Sequence, residues 1–326
     1  KDRLLRHQRD FYSESLEMAE THTVKAYLIS LDRGRTRAQV LGQLLQRHRV
    51  ELYALSQDVT LRGMEFKAGE AFVVPLAQRQ MRLIKSVMER TFSYQESLFY
   101  DVSTWTLPLA HDVDYAEYRS GTQRILGDRI EDIQLDGGGI HGGESSYAYL
   151  MPWNRYFGPR ALHRILEAGV SVRVMREAFT AEVEGVVHSF EKGTLVIPLY
   201  ARDSDSGVPN PETIHQLIRT SAEKDHVVYY AVRTGLTPSG PDLGGASTRV
   251  VARPKTAIIS GDGTSSGSVG EIWHLLSERY QIPVSLVEAR SLSSYDLDRY
   301  NVIVHPGGSL PDGASSALES WTRAGG

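Results

Sequence analysis

The sequence contains no cysteine among its 326 residues. Disulfides, thiolate zinc sites and cysteine nucleophiles are therefore excluded within this chain, although secreted and cytosolic proteins can both lack cysteine. An excess of one charge is also missing, since 36 Lys and Arg face 40 Asp and Glu, which gives a net charge of −4. This balance provides no electrostatic basis for binding nucleic acid or an anionic membrane surface.

Long apolar runs are absent as well. A stretch such as Ala71 to Ala77 is far shorter than the ~20 residues that a membrane-spanning helix needs, so we expect no membrane span. The composition, with 41% hydrophobic and 23% charged residues, is that of a globular chain. The chain opens at Lys1 without a signal-like segment, and we interpret it as a fragment of a longer polypeptide.

Three segments share one order of predicted elements: an apolar strand, an amphipathic helix, a second strand, a strand ending at a proline, and another helix. From the first strand to the proline there are 48 residues between Tyr27 and Pro75, 49 between Tyr149 and Pro198, and 48 between Ile258 and Pro306. Continuous Val, Ile and Leu runs that alternate with helices are typical of parallel strands buried on both faces. We therefore predict an α/β fold of three flavodoxin-like β-α-β repeat units with mainly parallel sheets, the last unit truncated.

The predicted domain boundaries follow from this repeat. They are a leading helix over 1–22, a first α/β unit over 23–110, an irregular glycine-rich connection over 111–145, a second α/β unit over 146–253 and an incomplete α/β domain over 254–326. The connection contains Asp136-Gly137-Gly138-Gly139, and such a glycine run is typical of a flexible linker. The strand order within each sheet stays open, because short apolar runs do not determine it.

A zinc peptidase site needs the motif His-x-x-Glu and a distant His, because two imidazoles and a carboxylate bind Zn²⁺ and leave one coordination position open for water. The pattern occurs twice, at His48 and Glu51 with His163 and His188 downstream, and at His141 and Glu144 with His274 downstream. With 11 histidines in the chain, so short a pattern has low specificity. His163 also lies at helical spacing in an apolar stretch, which indicates a half-buried side chain.

The internal repeat argues against the first match. It aligns His48 and Arg49 with the helix end at Gly169, whereas Glu51 aligns with Ser171 on the following strand. The second match lies in the glycine-rich connection, where a rigid ligand shell is difficult to hold. We therefore predict no catalytic and no metal-ligating residue in this chain.

The best small-ligand candidate is the loop GDGTSSG at 261–267, between a predicted strand and a predicted helix. Free backbone N–H groups at a helix N-terminus can cradle an anion, and open α/β sheets bind ligands at the carboxyl ends of strands. The loop matches neither the dinucleotide fingerprint nor the P-loop, and helix capping explains it without a ligand. The candidate binding residues are Gly261, Asp262, Gly263, Thr264 and Ser265.

Two other polar groups invite a catalytic interpretation. Ser309 follows His305 at the end of a strand, but the Gly-x-Ser-x-Gly motif of serine hydrolases is absent. A possible acidic cluster with a histidine consists of Asp101, His111, Asp112 and Asp114. No spacing supports a common site for them, and we expect solvated or capping roles.

Three long and unusual blocks carry a family resemblance. They are FVVPLAQ at 72–78 followed by SLFYDVSTWTLP at 97–108, TGLTPSG at 234–240, and GEIWHLL at 270–276. Together they resemble the C-terminal half of large bacterial zinc carboxypeptidases of the carboxypeptidase A type. Proteins of this kind have a secretion signal, an N-terminal peptidase domain and α/β segments that end in a class I glutamine amidotransferase-like domain.

The resemblance implies that the parent protein removes C-terminal residues from peptides, with its zinc held in a peptidase domain upstream of Lys1. For this fragment it implies no cofactor, a secreted or periplasmic location, and the peptidase domain as partner. It also identifies 254–326 as amidotransferase-like, with Val302–Gly308 similar to the oxyanion-hole side of that fold. The nucleophile of active members is a cysteine, which this chain lacks.

We therefore expect an accessory, non-catalytic region that supports the peptidase domain or binds peptide or cell-wall substrate. The exposed loops predicted to contribute are 203–210 and 240–245. The alternative is a stand-alone α/β small-ligand-binding module that uses the loop at 261–267.

Overall fold

The computed structural model describes residues 2–90, 106–200 and 209–325. The chain divides into two compact units, the first made of 1–136 and 154–156 and the second of 137–153 and 157–326. Among the described residues, no helix is both long and apolar enough to cross a bilayer.

The first unit begins with the expected leading helix. Its helices are α1 (Asp2–Thr21), α2 (Arg35–Arg47), α3 (Met81–Met88) and α4 (Leu107–Ala110). Its strands are β1 (Ala26–Ser30), β2 (Leu52–Leu55), β3 (Val59–Leu61), β4 (Met64–Phe66), β5 (Ala71–Pro75), β6 (Tyr115–Tyr118) and β7 (Leu126–Ile130). Five of the strands form one sheet in the order β6-β1-β5-β2-β7, and β3 pairs with β4 in a separate hairpin.

The second unit contains a larger sheet and a separate three-stranded sheet. Its helices are α5 (Gly158–Glu167), α6 (Pro211–Asp225), α7 (Ser266–Trp273) and α8 (Ala314–Arg323). The strands of the larger sheet and its hairpin are β8 (Gly139–His141), β9 (Ala148–Met151), β10 (Arg173–Met175), β11 (Phe179–Val183), β12 (Val186–Phe190), β13 (Leu195–Pro198), β14 (Val228–Val232) and β15 (Thr248–Val250). Those of the three-stranded sheet are β16 (Thr256–Ser260), β17 (Val284–Glu288) and β18 (Val302–Val304).

The two large sheets have the same topology. The second has the order β14-β9-β13-β10-β15, with β8 added beside β14, and each strand corresponds in chain order to a strand of the first sheet. The registers agree as well, because Leu28 lies opposite Val73 in the first copy and Leu150 lies opposite Val196 in the second. The hairpin β11–β12 repeats the hairpin β3–β4. The predicted repeat is therefore present in the first two segments.

The mainly parallel pairing predicted for these two sheets is wrong. All four neighbouring pairs in the first sheet are antiparallel. In the second, only β14 and β8 are parallel. The reason is that the continuous apolar strands come from burial on both faces rather than from parallel pairing. In β5, Phe72 and Val74 pack in the cluster with helix residues such as Leu41 and Ile84, whereas Val73 packs in the cluster with the hairpin residue Phe66.

The third predicted repeat unit is not a copy of the other two. Its strands have the order β17-β16-β18, and both neighbouring pairs are parallel. The strand that ends before Pro306 therefore lies at an edge, whereas β5 and β13 lie between two strands of their sheets. The chain thus contains one parallel sheet and two largely antiparallel ones. It is an α/β protein of mixed type, without three equivalent flavodoxin-like units.

The segment 111–145 is more regular than the irregular connection that the glycine run predicts. It carries β6 and β7, which are the two edge strands of the first sheet, and β8, which is an edge strand of the second. Short strands such as Tyr115–Tyr118 and Gly139–His141 give too weak a periodicity for recognition in the sequence. Their backbones are ordered by pairing with strands distant in the chain.

A buried carboxylate joins two helices of the second unit. Asp225, at the end of α6, has no exposed surface and accepts hydrogen bonds from Arg160 Nε at 2.6 Å and Arg164 Nε at 2.9 Å on α5. Arg164 Nη2 and Ser221 Oγ each donate a further hydrogen bond to Asp225 at 3.0 Å. Since an unpaired buried charge is costly, these donors stabilise the helix pair as a group.

We expect Asp225→Ala to lower the free energy of unfolding by about 3 to 5 kcal/mol, because two arginines lose their buried partner. Glu223→Ala is the matched control, because Glu223 is exposed on the same helix and its removal should change stability by less than about 0.5 kcal/mol. Urea unfolding of both variants measures the difference. Equal effects would contradict a stabilising role for the cluster.

Candidate functional site

The predicted loop at 261–265 lies at the topological switch point of the three-stranded sheet. It follows the central strand β16, whose neighbours β17 and β18 lie on opposite sides. The loop after β18 approaches it there, because Ser309 N donates to the carbonyl of Gly263 at 3.0 Å. In open α/β sheets, the carboxyl ends of strands at a switch point are the usual place for a ligand.

The space around the glycines of this loop is occupied by other residues of the chain. Gly263 has φ +85°, and a Cβ added there would lie 2.0 Å from the carbonyl oxygen of Ser309. A Cβ on Gly261 would lie 2.0 Å from a carboxylate oxygen of Glu288. These glycines therefore allow close packing between neighbouring loops, which is a structural reason for their presence.

The other candidate residues of the loop also have partners in the chain. The carboxylate of Asp262 pairs with Arg290. Thr264 Oγ1 donates to the carbonyl of Gly261 at 2.7 Å, and Ser265 Oγ caps α7 by accepting from Ser268 N at 3.3 Å. With the carboxylates of Asp262 and Glu288 beside it, the loop does not favour an anion, and its role in ligand binding stays a prediction.

Both residues of the first His-x-x-Glu match lie in the short connection between α2 and β2, so Glu51 precedes the strand on which the repeat places it. His48 is the residue after α2, and its carbonyl accepts from Gln80 Nε2 at 2.8 Å. Glu51 accepts from Tyr53 Oη at 3.1 Å and pairs with Arg129 at 3.5 Å. Their downstream partners His163 and His188 belong to the second unit.

The second match is likewise held by contacts of its own. The ring of His141 stacks on Tyr230 at 4.7 Å between centroids, and Glu144 accepts from Arg219 at 2.7 Å. His274 begins a short π-helical segment that ends at Arg279. Within 2–90, 106–200 and 209–325, no three His, Asp or Glu side chains are placed to hold a metal ion.

The other described candidates are His305, Ser309, His111, Asp112 and Asp114. His305 and Ser309 are both exposed on the loop after β18. His111 Nδ1 lies 3.0 Å from the carbonyl of Leu107, Asp112 accepts from Arg37 at 2.6 Å, and Asp114 lies 4.0 Å from Arg33.

The two predicted contact loops are only partly described. In 240–245, Asp242 accepts from Thr237 N at 2.9 Å, which fixes the loop on its own chain. Asn210 caps α6 by accepting from Thr213 N at 2.9 Å. Asp101 and residues 203–208 lie outside the described residues.

Sequence reasoning missed a polar groove in the first unit. A cavity of about 700 Å³ is bounded by the end of α2, the start of β2, the loop after β5, the end of β7 and one side of α1. Three arginines line it: Arg49, Arg79 and Arg129. One signal was available, since the repeat aligns Arg49 with Gly169, but a single position does not reveal a groove.

One histidine is buried without hydrogen bonds. His163 on α5 is 4% exposed, and neither ring nitrogen has a hydrogen-bond partner in the described part of the chain. Burial lowers the pKa of His163, Arg253 and Arg164 lower it further, and Glu167 opposes them. The folded protein therefore holds this ring neutral at pH values where the unfolded chain protonates it.

Because the folded pKa is depressed, stability should fall as the pH drops below about 6.5, where unfolded histidine takes up a proton. His163→Leu removes this proton linkage and the two unpaired nitrogens. Its gain in stability over the wild type should therefore be larger at pH 5 than at pH 7.5. Urea unfolding at both pH values is the measurement, and a gain that does not change with pH would contradict the assignment.

The close contact at Gly263 gives a second prediction. Gly263→Ala should lower the free energy of unfolding by about 2 kcal/mol or more, because a methyl group meets the Ser309 carbonyl in a left-handed backbone. Gly313→Ala is the control, since Gly313 has φ +86° but open space around its Cβ position. It should cost about 1 kcal/mol. Equal losses in thermal unfolding would show that the loop contact adds nothing.

Comparisons with protein-family models, with curated proteins and with solved structures found no match. The resemblance carried by the blocks at 72–78, 97–108, 234–240 and 270–276 therefore stays a prediction.

Proposed function

We propose that this chain is an accessory, non-catalytic region of a secreted or periplasmic zinc carboxypeptidase-like protein. The zinc and the peptidase chemistry would belong to another domain of that protein, which this region supports. Peptide or cell-wall material is the substrate class that it would help to bind. The sequence blocks with the family resemblance support this assignment.

One structural observation carries the proposal. Candidate catalytic groups in the described residues are engaged in separate structural contacts rather than directed at a common point. Glu51 is held by Tyr53 and Arg129, Glu144 by Arg219, and Asp112 by Arg37. A general base or a metal site needs such groups to converge, with free lone pairs, on one reacting atom.

The duplicated sheet is consistent with a supporting role. Each copy closes its own core, with helices on one face of the sheet and a hairpin on the other. The alternative, a small-ligand module using 261–267, has less support because the carboxylates of Asp262 and Glu288 border that loop.

The gene upstream of the Lys1 codon tests the proposal directly. We expect it to encode a signal peptide, a His-x-x-Glu motif and a distant second His in one reading frame with this chain. A start codon close to Lys1 would contradict the proposal. As a biochemical companion, the purified chain with Zn²⁺ should release no C-terminal residue from unblocked peptides, and release abolished by a chelator would contradict the non-catalytic assignment.

A further inference from the structure

The polar groove of the first unit has a prearranged floor. The buried amide of Gln78 accepts from Glu51 N at 2.7 Å and donates to the carbonyls of Pro75 at 2.7 Å and Glu51 at 3.2 Å. Gln46 donates to Ile130 O at 2.8 Å and accepts from the backbone N of Ile133 at 3.3 Å. These glutamines use their polar atoms on the backbone, so the hydrogen-bonding capacity of the groove lies with its charged side chains.

Two of the three groove arginines have no carboxylate partner among the residues that the structure describes. Arg129 lies between Glu51 at 3.5 Å and Glu131 at 3.4 Å and is therefore neutralised. Arg79 stacks over the ring of Tyr12, with 5.5 Å from its guanidinium carbon to the ring centroid. Neither Arg49 nor Arg79 makes an ion pair with a described residue. Neither guanidinium is neutralised by a described carboxylate, although that of Arg79 stacks on Tyr12. Guanidinium groups bind carboxylates and phosphates in a bidentate manner.

The second copy of the sheet provides an internal comparison for Arg49. Arg49 and Gly169 both follow a helix in the left-handed conformation, with φ 62° and 81°. Both also donate their backbone N–H to the carbonyl three residues earlier, at 2.8 and 3.1 Å. A side chain at this position costs free energy that glycine avoids, so the arginine is unfavourable for the backbone.

Two other charges of the groove, Arg129 and Glu51, are replaced by uncharged residues in the second copy. The sheet register places Arg129 opposite Tyr53 and, at the corresponding place in the second sheet, Val250 opposite Arg173. Glu51 corresponds to Ser171 in the same alignment. The fold therefore requires none of these charges, since the second copy forms the same sheet without them.

We propose that this groove binds a small organic anion, whose carboxylate or phosphate group is held by Arg49 and Arg79. The strained backbone of Arg49 is then explained by its side chain, because a binding residue is retained against a stability cost. This proposal does not depend on the accessory role proposed above.

Titration of the full chain with two probes, succinate and inorganic phosphate, tests the proposal by calorimetry at constant ionic strength. Wild-type protein should bind at least one of them saturably, and the stronger probe identifies the oxyanion as carboxylate or phosphate. Arg49→Gly should weaken that binding at least about tenfold, as expected for a lost charged hydrogen bond. Its thermal midpoint should equal or exceed that of the wild type, so loss of folding cannot explain the result.

Arg62→Gly is the matched control. Arg62 also has a left-handed backbone, with φ 51°, but lies in the turn between β3 and β4 outside the groove. The substitution removes the same charge and relieves the same kind of strain, so the affinity for the probe should stay at the wild-type value. Arg79→Gln should reproduce the loss seen with Arg49→Gly. Absence of saturable binding to both probes, unchanged binding in Arg49→Gly, or an equal loss in Arg62→Gly would overturn the proposal.

Discussion

Both copies of the sheet depend on one antiparallel strand at their centre. This strand is β5, between β1 and β2, in the first copy and β13, between β9 and β10, in the second. A parallel neighbour requires a crossover that returns the chain to the end where it started. After β2 the chain instead forms the hairpin β3–β4 over one face of the sheet, and β5 then runs antiparallel between β1 and β2. In the second copy, the hairpin β11–β12 and the strand β13 follow β10 in the same way. Val73 and Val196 at these central positions are 0% and 2% exposed, because helices cover one face and the hairpin covers the other.

In this arrangement, the residues that form the core are different from those that determine the chemistry of the surface. The apolar residues of the central strands and the hairpins form the cores, whereas the helix ends and edge strands face outward. Differences between the copies accumulate at such places, as the pairs Arg49 and Gly169, or Arg129 and Val250, illustrate. A polar groove can therefore be built on one copy while the other has uncharged residues at the positions of Arg49, Glu51 and Arg129. Because the sheet is duplicated, the second copy shows which residues of the first copy the fold does not require.

Local sequence patterns correctly indicated the longer helices, the apolar strands of the repeat and the duplication, because hydrophobic periodicity reports burial directly. They misjudged strand direction, since two-sided burial leaves the same continuous apolar run in parallel and antiparallel strands. The spacing of 48 residues between Ile258 and Pro306 also suggested a third copy. There, however, the connection after β17 passes through short 3₁₀ turns and brings β18 back parallel at the sheet edge.

The sequence by itself determined the α/β composition and the two repeated segments. It also located the glycine loop at 261–265 between a strand and a helix. Only the tertiary structure decided the pairing directions, the filling of that loop by Ser309 and Glu288, and the groove of the first unit. The physical reason is distance along the chain: the groove joins Tyr12, Arg49, Arg79 and Arg129. No local pattern links such residues, and only the packed sheet brings them to one surface.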